Sequence, residues 1–494
     1  MRVQLSRQGL DKQKADVAVC FAFEGDRAPR GVADAGLRRE LSARLKAERF
    51  KGQVGDRILW SGGKAAADHV MVLGLGKLNG DGVVNALARG VARAARMAAD
   101  FSATKLAVQL PEADASALAL EVQAATEGAL AGGYRFERHL TDPDRRGVQL
   151  TGVHLCTTGK PASLRKALDA GTTVGRAVCL ARDLVNEAPS RLNPPAFATI
   201  ARQVAKESGL GIKVLTKPQI EKIGMHALLA VSRGSDIDPR VVHLTHKPKR
   251  KAKRRIVLIG KGVTFDSGGL NLKPSPSMRY MKGDMGGAAA VLATMSTLGA
   301  LGCDVEVHAF LGLVENMTGG NAYKPGDILD TLKGKTVEVG NTDAEGRLVM
   351  CDLLCHAERT LKPDAMIDVA TLTGAIVVAL GPTAVGVFSR HDGLADEVLD
   401  AGRVAGEKLW RMPMYDEYLA MLQHGPADLV NVGERWGGAI TAALFLGEFV
   451  DRGTPWLHLD IAGPAFAESA SADGPSGGTG VGVRTLARWL TTGK

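Results

Sequence analysis

Six short runs beyond residue 200, IKVLT, RIVLIG, VEVHAFLGL, TVEV, AMIDVATL and WLHLDIAG, are apolar on both sets of alternating positions. A strand with one wet face alternates apolar and polar residues, so strands without that alternation are buried on both faces. A largely parallel sheet sandwiched by helices buries them. The first third repeats the pattern on a smaller scale. There ADVAVCFAF, RILW, HVMVLGLG, KLAVQL and VQLTGVHLC are separated by alanine-rich stretches at 83–99 and 115–131. At 494 residues the chain exceeds what one core usually supports. The expected fold is therefore α/β: a smaller N-terminal α/β domain over residues 1–160 and a larger C-terminal α/β/α domain over 191–494 with a mostly parallel, mixed sheet. Between them, 161–190 reads as a linker helix and turn. Leu164, Leu168, Val174, Ala177, Leu180 and Leu184 suit one helix, and NEAPSRLNPP after it is rich in breakers.

Bulk properties exclude several classes. Aromatic residues make up only 4%, which argues against a stacking platform for single-stranded nucleic acid. Sixty-two basic against fifty-three acidic residues leave +9, much of it in HKPKRKAKRR at 246–255, which reads first as an exposed loop and second as a phosphate contact. Six scattered cysteines fit reduced thiols rather than a disulfide framework. No signal-peptide core and no apolar run of membrane-spanning length is present, so a soluble, cytoplasmic protein without membrane contact is expected.

In sheets of this kind ligands bind where loops leave the carboxyl ends of strands. After RIVLIG come Lys261 and Asp266 in a glycine-rich loop, KGVTFDSGG. A second segment supplies Lys273 and then Asp284, within MKGDMGG, before an alanine-rich helix. After TVEV comes NTDAEGRL, with Asp343 and Glu345 two residues apart and Arg347 in the first turn of a helix, where free N–H groups already favour an anion. Four carboxylates without a histidine form a set of hard oxygen donors suited to one or two divalent cations. One such acid alone would be a turn or cap residue. Three strand-end loops with the same mixture of acid, lysine and glycine argue otherwise.

The stretches KGVTFDSGG, MKGDMGGAAAV, NTDAEGRL and DVATLTGA closely resemble the signatures of the leucyl aminopeptidase family, the cytosolic metallo-aminopeptidases that include bacterial aminopeptidase A. The resemblance runs from ARDLVN at 181–186 to HLDIAG and so covers the C-terminal domain. It implies that Lys261, Asp266, Asp284, Asp343 and Glu345 bind two metals, zinc or manganese, with magnesium or cobalt as further occupants of an exchangeable site. Asp266 and Glu345 would bridge them, Asp343 completing one site and Lys261 with Asp284 the other. The catalytic pair would be Lys273, stabilising the negative oxygen of the tetrahedral intermediate, and Arg347, holding a bicarbonate ion as general base toward the attacking water. The resemblance also places Met281, Asn341, Leu372, Thr373, Gly374, Ala462 and Ala465 around the pocket for the first side chain. Small Ala465 suggests room for leucine and other large apolar residues. A homohexamer acting on short peptides is implied as well.

Other features have plainer readings. Gly74-Leu75-Gly76 with Gly80 misses the dinucleotide-loop spacing and reads as a turn. Cys351 and Cys355, one helical turn apart, belong to an apolar helix face, and His356 and His458 to structural surroundings. A DNA-binding role is the reading from a different class, resting on the net charge and the basic loop. A hydrolase of non-peptide amides would use the same chemistry.

Overall fold

The computed structural model describes residues 1–78, 82–112, 117–470 and 474–492. It contains two compact units, Met1–Cys179 with Ala470–Pro475, and Leu180–Ser469 with Ser476–Lys494. The division falls inside one continuous helix, Pro161–Asn186. NEAPSRLNPP ends that helix, as its prolines and asparagines require.

The smaller unit holds a six-stranded sheet of β1 (Arg2–Ser6), β2 (Ala15–Ala22), β3 (Arg57–Ser61), β4 (Ala67–Gly74), β5 (Lys105–Gln109) and β6 (Gly152–Cys156), in the order β1-β6-β5-β2-β4-β3. All neighbours are parallel except β3 against β4. Helices Gly82–Ala99 and Leu118–Gly132 bury Leu87, Val91 and Val122 with Phe21 and Leu106. Leu37, Leu41 and Leu45 of helix Ala35–Ala47 pack with Ala18, Cys20 and Val72. Residues 115 and 116 of the alanine-rich stretch lie outside the described residues, as does Gly80. Gly74 and Gly76 bond to Asp56 and Gly52, so that turn is filled by the chain itself.

The larger unit is built on eight strands: β7 (Gly211–Leu215), β8 (Arg240–His246), β9 (Arg255–Asp266), β10 (Glu306–Asn316), β13 (Ala365–Ala370), β14 (Val385–Ser389), β15 (Leu409–Arg411) and β17 (Trp456–Asp460). Their order is β15-β14-β17-β13-β9-β10-β8-β7. A separate small sheet holds β11 (Ile328–Asp330), β12 (Thr336–Glu338) and β16 (Leu429–Val430). The central run β17-β13-β9-β10 is parallel, as is β14 with β15. The remaining junctions, β14 with β17, β10 with β8 and β8 with β7, are antiparallel. β13 and β17 are buried at every residue. β1, β8 and β14 lie at or next to a sheet edge and are too short or too polar to stand out as apolar runs. Helices Gly286–Leu301 and Glu345–Leu361 pack on the central strands.

Candidate active site

β9 carries Lys261 along its length and ends at Asp266. Between them its register against β10 slips: Val263 pairs with Val314 but Phe265 with Glu315, leaving Thr264 as an extra residue. Such a bulge bends a strand and re-aims the side chains beyond it. Asp266 then pairs with Asn316, whose amide donates to Asp266 Oδ1 at 2.8 Å, as does the Gly268 N–H at 2.8 Å. Gly268 and Gly269 adopt φ of 87° and 62°, a left-handed turn that suits glycine. The turn folds the chain back so that the Lys273 N–H bonds the Ser267 carbonyl at 2.9 Å.

Asp284 follows the single turn Met281–Gly283 and precedes the helix beginning at Gly286. Thr371, just beyond β13, donates its hydroxyl to Asp284 Oδ1 at 2.7 Å. Asp343 and Glu345 come from the loop after β12. Asn431 braces that loop: its Oδ1 accepts the Gly340 and Asn341 N–H groups, and its Nδ2 donates to the Asn341 and Ala344 carbonyls. Thr342 ties it to the β9 loop through Gly268 and Asn271. Glu345 opens the helix, so it and Asp343 converge through a loop-to-helix turn rather than through strand alternation.

The acids and lysines predicted from the sequence meet in one place. Ligand oxygens of Asp266, Asp343 and Glu345 lie within 4.8 Å of one another. Lys261 Nζ stands 2.7 Å from Asp284 Oδ1 and 2.8 Å from Glu345 Oε1, and donates to the Thr371 carbonyl at 2.9 Å. Lys273 Nζ stands 2.9 Å from Asp266 Oδ2 and 2.5 Å from Asp343 Oδ1. Burial lifts the acids: Asp266 by burial and Glu345 against the pull of both lysines, Asp343 by burial and Asp266, and Asp284 furthest, again by burial first. Burial pulls Lys261 and Lys273 down, but the carboxylates around them outweigh it and hold both ammonium groups above the usual lysine value. Arg347 lies in the first turn of the helix, 6% exposed, with its guanidinium over the Phe445 ring. Burial lowers it to about 10.

Of the predicted pocket residues, Asn341 follows β12, Leu372, Thr373 and Gly374 follow β13, Ala462 and Ala465 follow β17, and Met281 opens the turn before Asp284. Asp460 joins the loops after β13 and β17: its Oδ1 accepts the Leu372 and Ala462 N–H groups, each at 3.1 Å, and its Oδ2 the Thr373 hydroxyl at 2.7 Å. Thr373 and Ala465 are buried, Met281, Asn341, Leu372 and Ala462 half-buried, and Gly374 exposed. Ala465 Cβ lies 3.6 Å from the position a Cβ on Gly286 would take, beside the helix that follows Asp284. The Asn341 side chain accepts the Asp343 N–H at 2.8 Å. Asn316, Thr371, Asn431 and Asp460 are the supporting residues that the sequence reading leaves out. Asn316 and Asp460 end apolar strands, a usable signal, whereas Asn431 carries none. Cys351 and Cys355 are buried thiols pushed up by burial, and His356 packs against Phe310.

The cytosol aminopeptidase family's catalytic-domain model matches residues 179–487, and its N-terminal-domain model residues 19–143. The chain belongs to the cytosol aminopeptidase family. A probable cytosol aminopeptidase of Aquifex aeolicus (strain VF5) is 40% identical over 492 residues, 99% of this chain and 98% of its own length. One of Trichodesmium erythraeum (strain IMS101) is 42% identical over 455 residues, covering 91% and 90%. Among solved structures, the bottromycin maturation enzyme BotP in complex with Mn is similar at 38% identity and TM-score 0.86, over 97% of this chain and 99% of that one. A mutant tomato leucine aminopeptidase is similar at 33% identity and TM-score 0.88, over 99% and 96%. The chain is thus an aminopeptidase, a hydrolase acting on peptides, in a metal-dependent family. No helix among the described residues is long and apolar enough to cross a membrane.

Proposed function

We propose that the chain releases N-terminal residues, leucine and other large apolar ones foremost, from short peptides, with Lys261, Asp266, Asp284, Asp343 and Glu345 holding two divalent cations. The observation that carries this reading is the pairing of each lysine ammonium with two carboxylates, 2.5 to 2.9 Å away, at the places where cations would sit. Asp284 Oδ2 is buried without a hydrogen-bond partner, which also suits a cation. The donor set is oxygen-rich with one amine and fits zinc or manganese, with magnesium or cobalt at the exchangeable position. Lys261 must give up its proton to serve as a ligand, which neighbouring dications favour.

When bound, the cations would anchor the substrate's free amine and polarise the scissile carbonyl and attacking water. Lys273, 16% exposed at the rim, would hold its ammonium against the negative oxygen that develops during attack. Arg347 would bind bicarbonate, which supplies the general base, and its buried, unpartnered Nε and Nη1 suit an anion. Asp460 would keep Leu372, Thr373 and Ala462 in register around the first side chain, with Ala465 leaving room for a large one. Residues 191–494 would carry this chemistry, and 1–160 would form a separate accessory domain. The homohexamer and cytoplasmic location follow the family resemblance. Metal analysis paired with leucine-anilide hydrolysis before and after chelation tests the core of this reading. Activity that persists without metal would refute it.

A secondary DNA-binding role is supported by the exposed Lys247, Lys249, Arg250, Lys251 and Lys253 between β8 and β9. Neutralising those five should weaken DNA binding and flatten its salt dependence while sparing hydrolysis. Unchanged binding would exclude the loop.

A further inference from the structure

A second set of buried polar groups lies one step deeper in the sheet. Asp368 of β13 and His458 of β17 are register partners without exposed surface, and His458 Nδ1 is 2.6 Å from Asp368 Oδ1. The other oxygen of Asp368 accepts the Trp456 Nε1–H at 2.7 Å. An ionised carboxylate only accepts, so the imidazole proton sits on Nδ1, and in the neutral ring Nε2 presents a lone pair. That Nε2 is buried and has no hydrogen-bond partner. Arg347 has the complementary deficit: its Nε and Nη1, both donors, are buried and unpartnered. Asp460, on the same face of β17 as His458, acts electrostatically on both side chains, and the Arg347 charge acts on the ring.

We propose that His458, oriented by Asp368, is a positioning residue for Arg347: its Nε2 lone pair accepts a hydrogen bond relayed from the guanidinium through one buried water. This fixes the plane in which Arg347 presents its remaining N–H groups to the anion. The inference rests on the role proposed above for Arg347. A buried donor left unpaired costs about 1–3 kcal/mol, so a guanidinium without this acceptor would rotate to find another. Protonation of Nε2 turns the acceptor into a donor and sets it against Arg347. The charged groups facing the ring are Asp368 from β13, Asp460 on β17 and Arg347 from the helix, while Phe388 of β14 stacks on it without charge. Burial pulls the ring's pKa down, but Asp368 outweighs it and holds the value above that of an ordinary histidine. The acid limb of kcat should therefore lie above pH 6.5.

Five variants test this: H458L, H458Q, D368N, R347M and the double variant H458L/R347M. H458L should lower kcat by about 10- to 100-fold, the usual effect of removing a supporting partner, with a smaller change in KM. H458Q, which can still donate to Asp368 and accept on its far side, should recover most of that loss and abolish the acid limb. D368N should resemble H458L, because an amide can donate to Nδ1 and drive the proton to Nε2. H458L/R347M should be no slower than R347M, since coupled residues do not add. Metal content should match wild type in each single variant; H458L should also lower the melting midpoint, because it strips buried Asp368 Oδ1 of its partner, whereas H458Q keeps that bond and should stay nearer wild type. In histidine-labelled, metal-free protein, 15N spectra should place the proton on Nδ1 of His458 and show its Nε2 signal moving in R347M. Wild-type kcat in H458L, additive losses in the double variant, or a proton on Nε2 in the wild type would overturn the inference. Wild-type kcat in R347M would instead remove the role of Arg347 itself.

Discussion

Gly346 stands directly over Lys261: a Cβ at position 346 would lie 2.6 Å from Lys261 Cε and 2.7 Å from its Nζ. The glycine of NTDAEGRL is therefore the gap through which the lysine reaches Asp284 and Glu345.

Replacing Gly346 with alanine should cost both stability and activity. Alanine favours a helix over glycine by up to about 1 kcal/mol, but moving Lys261 breaks its buried ion pairs with Asp284 and Glu345, so the melting temperature should fall. The displaced Lys261 should lower metal content and reduce kcat/KM by about 10- to 100-fold. Full activity in this variant would mean that the lysine is not a ligand.

Chelation should remove hydrolysis and lower the melting temperature without unfolding the protein. Metal at a hundred times its dissociation constant stabilises by about 2.7 kcal/mol, and the ion pairs of Lys261 and Lys273 partly neutralise the acids once it leaves. Asp343→Asn should behave like chelated wild type, checked by elemental analysis and calorimetry.

Asp352 gives the fold a pH dependence of its own. It is fully buried on the helix that carries Glu345, accepts the Leu228 and Leu332 N–H groups, and is pushed by burial to about 7. An acid raised in the folded state binds its proton more tightly there, so its contribution to stability is complete below the ordinary carboxylate range and is lost as pH rises to 7. The span is on the order of 4 kcal/mol. Urea unfolding of wild type and Asp352→Asn between pH 4 and 8 should agree best at the acid end, where Asp352 is protonated and as neutral as the amide, and diverge towards pH 8, where only the wild type must ionise a buried group.

Asn431→Ala should leave four backbone groups of the Gly340–Ala344 loop without partners, destabilising the protein by roughly 3 kcal/mol. Because Asp343 and Glu345 hang from that loop, metal affinity should fall with stability. A thermal melt in excess metal distinguishes the two, since metal should recover part of the lost stability.

Turnover of leucine, phenylalanine and alanine anilides reports the size of the first pocket. Leucine and phenylalanine should be preferred, and Ala465→Met should reduce kcat/KM for both relative to alanine by about 10-fold or more. A strong wild-type preference for alanine would remove the roomy-pocket reading.

The site was legible because charged residues follow apolar runs, a local pattern that Asp266, Asp343 and Glu345 keep; Lys261, read as part of a loop after RIVLIG, lies within β9, which continues to Asp266. The braces were less legible. Asn431 reaches the Asn341 loop from ninety residues away, and nothing in its own neighbourhood of sequence distinguishes it from a loop asparagine. The bulge at Thr264 was invisible for a related reason, since register depends on the partner strand. The edge strand β7 keeps alternate residues exposed although IKVLT reads as buried on both faces, and β8 and β14 just inside the edges do not stand out as apolar runs, so the antiparallel margins emerge only from pairing. The helix at 161–186 was readable from its own spacing, whereas the boundary between compact units within it depends on contacts made elsewhere.

β9 lies between β10, the next strand along the chain, and β13, which in turn borders β17 near the end of the chain. Both strands that flank Lys261 and Asp266 are therefore in hand once the chain reaches Ala370, whereas Asp460, which braces the loops after β13 and β17, arrives only near the end of the chain.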